Sequence, residues 1–467
     1  MNVLFIIPPY NVAASWGSRK KMNTGTLPPL GVGYLASALE QHGHRVKLLD
    51  APSLSLEKQE ILKAVGEEVP DIIGISCLTT YADAAYELAE GIKKAFPDIL
   101  IAIGGPHVSA KYETLLDVCP WVDAAFPGEA EQSFTEYVDC IAGKKPFDQV
   151  AGLVFRDTSG KNVFTGHAPL VKDLDTLAPP ARHIYDKRLY RSLPNQGRRW
   201  PAATFFTSRG CPWSRCMFCY QRTEYGHKYR RRSPEACVRE IRELVVAHGY
   251  REIMFWDDNF CINEEWINRF CDLLDAERLN IPWTVEGHIR TIRPAMLERM
   301  VKSGCYNIFL GIESGNQKIL DMIEKGYTVE QCWEVMKWIK QVGLESRAAF
   351  LLGFPTETPE MARETIDFAC NLDPDYANFV PFHVWPGAPI EKFALEHGTS
   401  THWNGYLVTP SYVPDTFESA AQIEALVKEA YRRFYLRPRV FWRTFKGLRH
   451  AHGWHRAFAG VKYLLSQ

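Results

Sequence analysis

Twice along the chain, short apolar runs alternate with amphipathic stretches, and this alternation is what most restricts the fold. In the first series the runs Val3–Pro9, Arg45–Ala51, Asp71–Cys77, Ile99–Pro106 and Ala124–Gly128 mostly end in Pro, Gly or a polar residue. Between them, stretches such as Leu30–His42 and Ala82–Phe96 place apolar residues at helical spacing. Strands separated by helices pair through crossovers, so the economical fold is a parallel sheet with helices on both faces. Such a doubly wound sheet binds ligands outside the carboxyl ends of its strands. Those ends carry Thr79-Thr80-Tyr81, Gly104-Gly105-Pro106-His107 and Gly128-Glu129. Glycines there either make tight strand-to-helix turns or let the backbone approach a large flat ligand.

The pattern changes over residues 146–195. Val150–Arg156 and Asn162–His167, joined by Asp157-Thr158-Ser159-Gly160, read as a hairpin, and Leu177-Ala178-Pro179-Pro180 reads as linker because consecutive prolines break helix and strand ladders. A second series follows, with strands expected at Ala203–Ser208, Glu252–Asp257, Trp283–Arg290, Asn307–Glu313, Ser346–Phe354 and Asn378–Trp385. Helices are expected at Pro234–His248, Glu264–Ala276, Pro294–Lys302, Val329–Val342 and Pro359–Leu372, the first capped by Ser233 with Pro234 at its opening position. Six such units make a partial or full (β/α) barrel, whose chemistry sits at the carboxyl ends of its strands. The chain therefore divides into a doubly wound domain (1–145), hairpin and linker (146–195), barrel (196–395) and helical cap (396–467).

Cys211, Cys216 and Cys219 directly follow the first barrel strand, in Gly210-Cys-Pro-Trp-Ser-Arg-Cys-Met-Phe-Cys-Tyr220. Three thiolates without a fourth nearby can hold an iron–sulfur cluster and leave one iron open, whereas four cysteines would close it. A structural zinc site is an alternative that needs a fourth ligand, for which His227 is the nearby residue. A disulfide or simply buried thiols are others. Twelve cysteines scattered over 467 residues suit a reducing compartment rather than a disulfide framework. The amino end has no basic region before a signal-like apolar segment, and no stretch is apolar enough to span a bilayer, so a cytoplasmic location is expected. A formal net charge of -1 argues against a general nucleic-acid binder.

With Phe255-Trp-Asp-Asp-Asn259, Gly311-Ile-Glu-Ser-Gly315 and Leu352-Gly-Phe-Pro355 at later strands, the cysteine loop resembles that of the radical S-adenosylmethionine superfamily. The first domain, through Pro28-Pro29-Leu30-Gly31 and Gly104-Gly105-Pro106-His107, is similar to the Rossmann-like cobalamin-binding domain that one large subclass carries ahead of its barrel. The resemblance implies a [4Fe–4S] cluster on Cys211, Cys216 and Cys219, S-adenosylmethionine chelating the open iron, and carbon–sulfur cleavage to a 5′-deoxyadenosyl radical. One departure stands out: the usual spacing is Cys-x3-Cys-x2-Cys, and here Pro212-Trp-Ser-Arg215 puts four residues in the first gap. The first domain has no Asp-x-His-x-x-Gly loop, so it indicates no axial histidine for cobalt.

By the same resemblance Phe218 packs adenine, Asp257 and Asp258 meet the methionyl amine, Glu313 and Ser314 hydrogen-bond ribose or the methionyl group, and Arg347 pairs with the methionyl carboxylate. Each has an ordinary alternative: core filling for Phe218, a helix start or solvent role for Asp258, a structural salt bridge for Arg347. Thr79, Thr80, Tyr81, Gly104, Gly105, His107, Gly128 and Glu129 are the cobalamin contacts expected at the sheet edge. The run Lys228-Tyr-Arg-Arg-Arg232 reads as a solvated face or as contacts to anionic groups, and His383 and Trp385 as substrate contacts at the barrel mouth.

The reaction implied is methylation of an unactivated carbon, or of phosphorus, in a biosynthetic small molecule, with an external electron donor such as flavodoxin or ferredoxin as partner. A cobalamin-dependent cyclase or ring-rearranging enzyme is the alternative within the family, and a non-catalytic cobalamin or redox sensor the alternative of another class. Transfer RNA methylthiolation would call for clustered cysteines in the first domain, where Cys77, Cys119 and Cys140 are widely separated. After Glu429 the chain has no acidic residue, while Arg432, Arg433, Arg437, Arg439, Arg443, Lys446, Arg449, Arg456 and Lys462 alternate with aromatic and apolar residues. That segment reads either as helices closing the barrel or as a basic surface for peripheral membrane contact.

Overall fold

The computed structural model describes residues 1–10, 25–143, 147–193, 195–221, 228–401, 407–440 and 443. These form two compact units, the first running from the amino-terminal strand to Tyr190 and the second from Arg191 onward.

The first unit is built on a seven-stranded sheet: β1 (Asn2–Ile7), β2 (Arg45–Asp50), β3 (Ile72–Ser76), β4 (Leu100–Gly104), β5 (Ala124–Phe126), β6 (Val154–Arg156) and β7 (Asn162–Phe164). Their order is β2-β1-β3-β4-β5-β6-β7, with β1 to β5 parallel and the last two antiparallel. Alternate residues feed two cores: Leu4, Ile6, Ile73 and Ile75 pack on one face, Val3, Phe5, Ile72 and Ala102 on the other. Burial on both faces explains why these strands read as continuous apolar runs. The order reverses between β1 and β3, which makes the crevice beyond their carboxyl ends the natural ligand site.

Two expectations are corrected here. The hairpin does not stand apart, because β6 pairs with β5 and extends the sheet. The Pro179-Pro180 segment is not a free linker: the Ala181 N–H donates to the Gly33 carbonyl (2.9 Å) and the Tyr185 hydroxyl to the Pro29 carbonyl (2.9 Å). Gly33 makes this packing possible, since a Cβ there would lie 2.1 Å from the Tyr185 oxygen. Prolines break ladders without preventing a segment from lying against a helix, here Leu30–Gln41.

The second unit contains a six-stranded parallel sheet in chain order: β8 (Ala202–Phe205), β11 (Glu252–Phe255), β12 (Trp283–Gly287), β13 (Cys305–Glu313), β14 (Glu345–Leu352) and β15 (Tyr376–Pro381). Helices Pro234–Val246, Glu264–Ala276, Pro294–Lys302, Val329–Gln341 and Pro359–Leu372 connect the strands. Ile308, Leu310, Ile312, Ala348, Phe350 and Leu352 pack toward those helices, which leaves Phe309, Gly311, Glu313, Arg347 and Ala349 on the inner face. Among the described strands β8 and β15 do not meet, so the barrel is partial.

The open edge at β15 is covered by helix Ala420–Tyr435. The Tyr435 hydroxyl accepts from the Ala377 N–H (3.1 Å) and donates to the Ala377 carbonyl (2.9 Å), while the Tyr431 hydroxyl accepts from the Phe379 N–H (3.3 Å). Two tyrosines thus take the place of a seventh strand and blunt an edge that would otherwise recruit another chain. The basic residues of this region pair with acids beside that helix: Arg433 with Asp367 and Glu429, Arg437 with Asp373 (2.8 Å), Arg443 with Asp375 (3.4 Å). These contacts are those of a barrel cap. Lys446, Arg449, Arg456 and Lys462 lie outside the described residues, among which no helix is long and apolar enough to cross a membrane.

Candidate functional site

The cysteine loop leaves β8 through a short strand β9 (Ser208–Arg209), which pairs antiparallel with β10 (Arg230–Arg231). The Arg232 N–H donates to the Thr207 carbonyl (2.8 Å), so the loop is tied at its neck. From Tyr229 to Arg232 the run is therefore not a solvated face, while Lys228 is exposed. Arg231 stacks over Trp266 at 3.5 Å from the ring centre, and Arg232 is buried in an ion pair with Glu240 (2.7 Å). Asp257 belongs to the same closure. It is fully buried, accepting from the Thr207 N–H (3.0 Å), the Thr207 hydroxyl (2.7 Å) and the Ser208 hydroxyl, which leaves it holding two strand ends together rather than meeting a ligand amine.

Further along, the Met217 N–H donates to the Ile323 carbonyl (3.0 Å), and the Ile390 N–H to the Met217 carbonyl (2.8 Å). The Trp213 indole donates to the Glu324 carbonyl (2.8 Å) and lies over Gly326, where a Cβ would come within 2.0 Å of the ring. The additional residue in the first gap is absorbed by Ser214, buried at a left-handed φ of 39°. The backbone N–H groups of Ser214 and Trp213 act to lower the Cys211 pKa against the rise that burial causes.

Cys216 is buried; Cys211 and Cys219 are half-buried, and all three are free thiols. Burial raises the pKa of each, Cys219 to about 12, while the positive charge of Lys325 acts in the opposite direction on all three. Among the described residues no three His, Cys, Asp or Glu side chains converge into a finished single-ion cage. A four-iron cluster spreads its thiolates over separate irons, so three thiols on one anchored loop beside a cation fit its chemistry. His227, the fourth ligand that zinc would need, lies outside the described residues.

Behind the thiols lies a buried ion pair missed in the sequence: Lys325 Nζ is 3.2 Å from Glu313 Oε1, with side chains 6% and 10% exposed. Glu313 reaches it by local distortion, since the register of β13 against β14 shifts between Gly311 and Glu313 and Glu313 adopts φ 68°. Gly311 leaves room for the carboxylate, which would lie 2.4 Å from a Cβ. Lys325 sits in a glycine-containing turn between two amphipathic helices, a context that reads as surface.

Other expected contacts fall differently. Phe218 is half-buried, packed edge-on against Phe354, with Lys325 Nζ 5.5 Å from its ring centre. Asp258 is exposed, accepting from Gln221 Nε2 (2.9 Å) and the Gly210 N–H. Ser314 is a fully buried turn residue whose hydroxyl bonds Thr365 (3.0 Å) and the Asn316 N–H (3.1 Å), so it is not offered to a cofactor. Arg347 is three residues below the strand position that pairs with Glu313, roughly 10 Å along the sheet. There its Nε donates to Asn307 (2.7 Å), and it faces Glu286, whose pKa burial pushes up to about 7 against the pull of Arg347. Glu286 is another interior charge the sequence did not reveal. His383 is buried with both ring nitrogens engaged, by Ser411 (2.8 Å) and the Leu407 carbonyl (3.0 Å), and so supports the barrel mouth from behind; Trp385 packs against the core.

At the edge of the first sheet, Thr79–Tyr81 form a single helical turn beyond β3, and Tyr81 stacks on Tyr10 (ring centres 4.8 Å apart). This pair stands at the strand-order reversal, and Tyr10 was not anticipated. Gly104 ends β4 and is half-buried. Gly105 has φ 118° and no room for a Cβ, which would fall 2.7 Å from the Cys77 carbonyl oxygen. Gly128 has φ 82° with open space beside it, its N–H donating to Ser109 (2.8 Å). His107 spends both nitrogens on Thr79 (3.1 Å) and Tyr86 (2.9 Å), and burial lowers its pKa to about 4. It shapes the edge as a neutral ring rather than reaching a ligand. Glu129 is likewise engaged, accepting from the Val171 N–H (3.2 Å).

Both units have counterparts among known proteins. Residues 205–369 match the model of the radical SAM superfamily and residues 23–138 that of the B12 binding domain. A protein of Pyrococcus horikoshii described as an uncharacterized methyltransferase is 31% identical over 442 residues, 94% of each chain. The anaerobic magnesium-protoporphyrin IX monomethyl ester cyclase of Rubrivivax gelatinosus is 30% identical over 451 residues, 93% of this chain and 78% of that one. The solved structure of the cobalamin-dependent S-adenosylmethionine radical enzyme OxsB, with aqua-cobalamin and S-adenosylmethionine bound, superimposes with a TM-score of 0.73 at 17% identity, covering 98% of this chain and 72% of that one. This last likeness concerns the fold.

Proposed function

The chain belongs to the cobalamin-binding radical S-adenosylmethionine family, and from that premise we propose that it transfers a methyl group to an unactivated carbon, or to phosphorus, of a biosynthetic small molecule. The observation that carries this reading is the match to the Pyrococcus methyltransferase along almost the whole of both chains. When bound, the [4Fe–4S] cluster supplies an electron for S-adenosylmethionine cleavage and cobalamin supplies a transferable methyl group.

The protein's own residues position and enclose. Cys211, Cys216 and Cys219 would hold the cluster, on a loop tied at its neck by β9 and β10. Phe218 offers an apolar face beside the thiols, and Asp258 a carboxylate for an ammonium group. The inner face below carries Glu286, Asn307 and Arg347, which suit a substrate with hydrogen-bonding groups better than a wholly apolar one. In the first unit, Tyr10, Tyr81 and the glycine turns present backbone and flat rings to a planar macrocycle.

Cyclisation is the second reading, favoured by the 30% identity to the Rubrivivax cyclase. Anaerobic protein loaded with iron, sulfide and cobalamin and supplied with S-adenosylmethionine separates the two. With a candidate small-molecule substrate present, a methylated product formed together with S-adenosylhomocysteine and 5′-deoxyadenosine selects methyl transfer, while an unmethylated cyclised product formed with 5′-deoxyadenosine and no S-adenosylhomocysteine selects cyclisation. A preparation that takes up iron and sulfide but shows no corrin absorption overturns the cobalamin assignment.

A further inference from the structure

Burying a lysine is costly unless its charge is balanced and its donors are used. Lys325 is 5% exposed, and among the described residues it has one hydrogen-bond acceptor, Glu313 Oε1 at 3.2 Å, for three N–H donors. Nζ also lies over the faces of Phe218 and Tyr327, whose ring centres are 5.5 and 5.6 Å away. Phe218 itself stands between Cys216 and Cys219. The Tyr327 hydroxyl is turned away, donating to the Gly311 (2.8 Å) and Ile312 (3.1 Å) carbonyls. The shifted register, the left-handed Glu313 and the missing Cβ at Gly311 together bring one carboxylate to this ammonium. Distortion of this kind persists where the surroundings enforce it, commonly at working sites.

The cysteine loop is fastened to the segment that carries Lys325, the Met217 N–H donating to the Ile323 carbonyl (3.0 Å) and the Trp213 indole to the Glu324 carbonyl (2.8 Å), so the ammonium is held against the loop at Phe218. We infer that Lys325 is the positioned cation that raises the reduction potential of the cluster held by Cys211, Cys216 and Cys219, with Glu313 fixing its place. One-electron reduction adds one negative charge to the cluster, and a cation held nearby in a poorly screened interior favours the reduced form. The inference rests on the reading that these thiols carry a [4Fe–4S] cluster.

The test is a redox titration of the full-length, anaerobically reconstituted protein without S-adenosylmethionine, using a one-electron chemical reductant and following the reduced cluster by electron paramagnetic resonance. Lys325→Met should shift the midpoint to more negative potential, Glu313→Gln to more positive, and Lys325→Arg should stay near wild type. Because Lys325→Met leaves a lone buried carboxylate, the double variant Lys325→Met/Glu313→Gln guards against misfolding, and it should also lie negative of wild type. Equal midpoints in wild type and the double variant, at full iron and sulfide content, overturn the inference. So does Lys325→Arg shifting as far as Lys325→Met, which would mark a role in packing alone. Absence of a cluster signal in the wild type would instead sink the cluster reading itself.

Discussion

The two units each offer the carboxyl ends of a parallel sheet, yet they build those ends from different materials. At the first sheet the edge is shaped by backbone and uncharged rings: Gly105 and Gly128 at positive φ, a stacked pair of tyrosines, and a histidine kept neutral by burial between two hydroxyl partners. At the second, function is concentrated in side-chain charge, with three thiols on a tethered loop and a buried lysine behind them. A large planar ligand is recognised by shape, which uncharged groups provide at little desolvation cost. A redox cluster needs thiolate ligands, and its potential responds to the charges around it. Substitutions should therefore separate the two sites.

The largest effect is expected from Cys211→Ala/Cys216→Ala/Cys219→Ala. Iron and sulfide content should fall to background and 5′-deoxyadenosine formation should cease, while corrin binding persists; continued 5′-deoxyadenosine production would sink the mechanism. Next comes Gly105→Ala, the mirror experiment. Its Cβ meets backbone at 2.7 Å at φ 118°, so the first unit should lose about 3 kcal/mol and its corrin affinity, with cluster content unchanged. An unaltered melting temperature would show that this edge can relax.

His107 carries the pH dependence. Its pKa is lowered to about 4 by burial, with Lys111 adding to the effect, so between the unfolded value near 6.5 and pH 4 the unfolded chain binds more protons. Stability should be full above pH 6.5 and decline as pH falls toward 4, by roughly 2 kcal/mol once partial exposure is discounted. Denaturant unfolding of wild type and His107→Gln at pH 7 and pH 4.5 checks this, since the variant should lose the pH-dependent component. The smallest effect concerns the long cysteine gap. Ser214 sits at φ 39°, so Ser214→Gly should be neutral or stabilising and Ser214→Val should cost about 1 kcal/mol and slow cluster uptake. Equal behaviour of the two variants would mean the loop has another way to accommodate the extra residue.

Much of the architecture was legible because its signals are local. The helices Glu264–Ala276, Pro294–Lys302 and Pro359–Leu372 carry Asn263, Pro294 and Thr358 at their starts and a clear apolar stripe, and the structure shows them at the expected residues. The cysteines were legible as a group because they follow one strand within a single short loop, and the structure places them on that loop after β8 and β9. What misled was chemistry whose partners are distant in sequence. Asp257 and Ser314 are polar residues at strand ends, as a binding residue would be, but partners at Thr207 and Thr365 engage them structurally. Lys325 had the opposite fate, with nothing in Glu324-Lys325-Gly326 announcing that folding would bury it against Glu313.

The alternation of strands and helices, the spacing of three thiols and the glycines at sheet edges were determined by the sequence alone. Backbone periodicity and ligand identity are properties of neighbouring residues, and they survive without knowledge of the fold. Which carboxylates remain available, where the open barrel edge is closed by Tyr431 and Tyr435, and which cation faces the sulfurs were decided only by the tertiary structure. Desolvation and hydrogen-bond satisfaction depend on what the fold brings from far along the chain, and they decide whether a polar side chain is spent on the fold or left for the reaction.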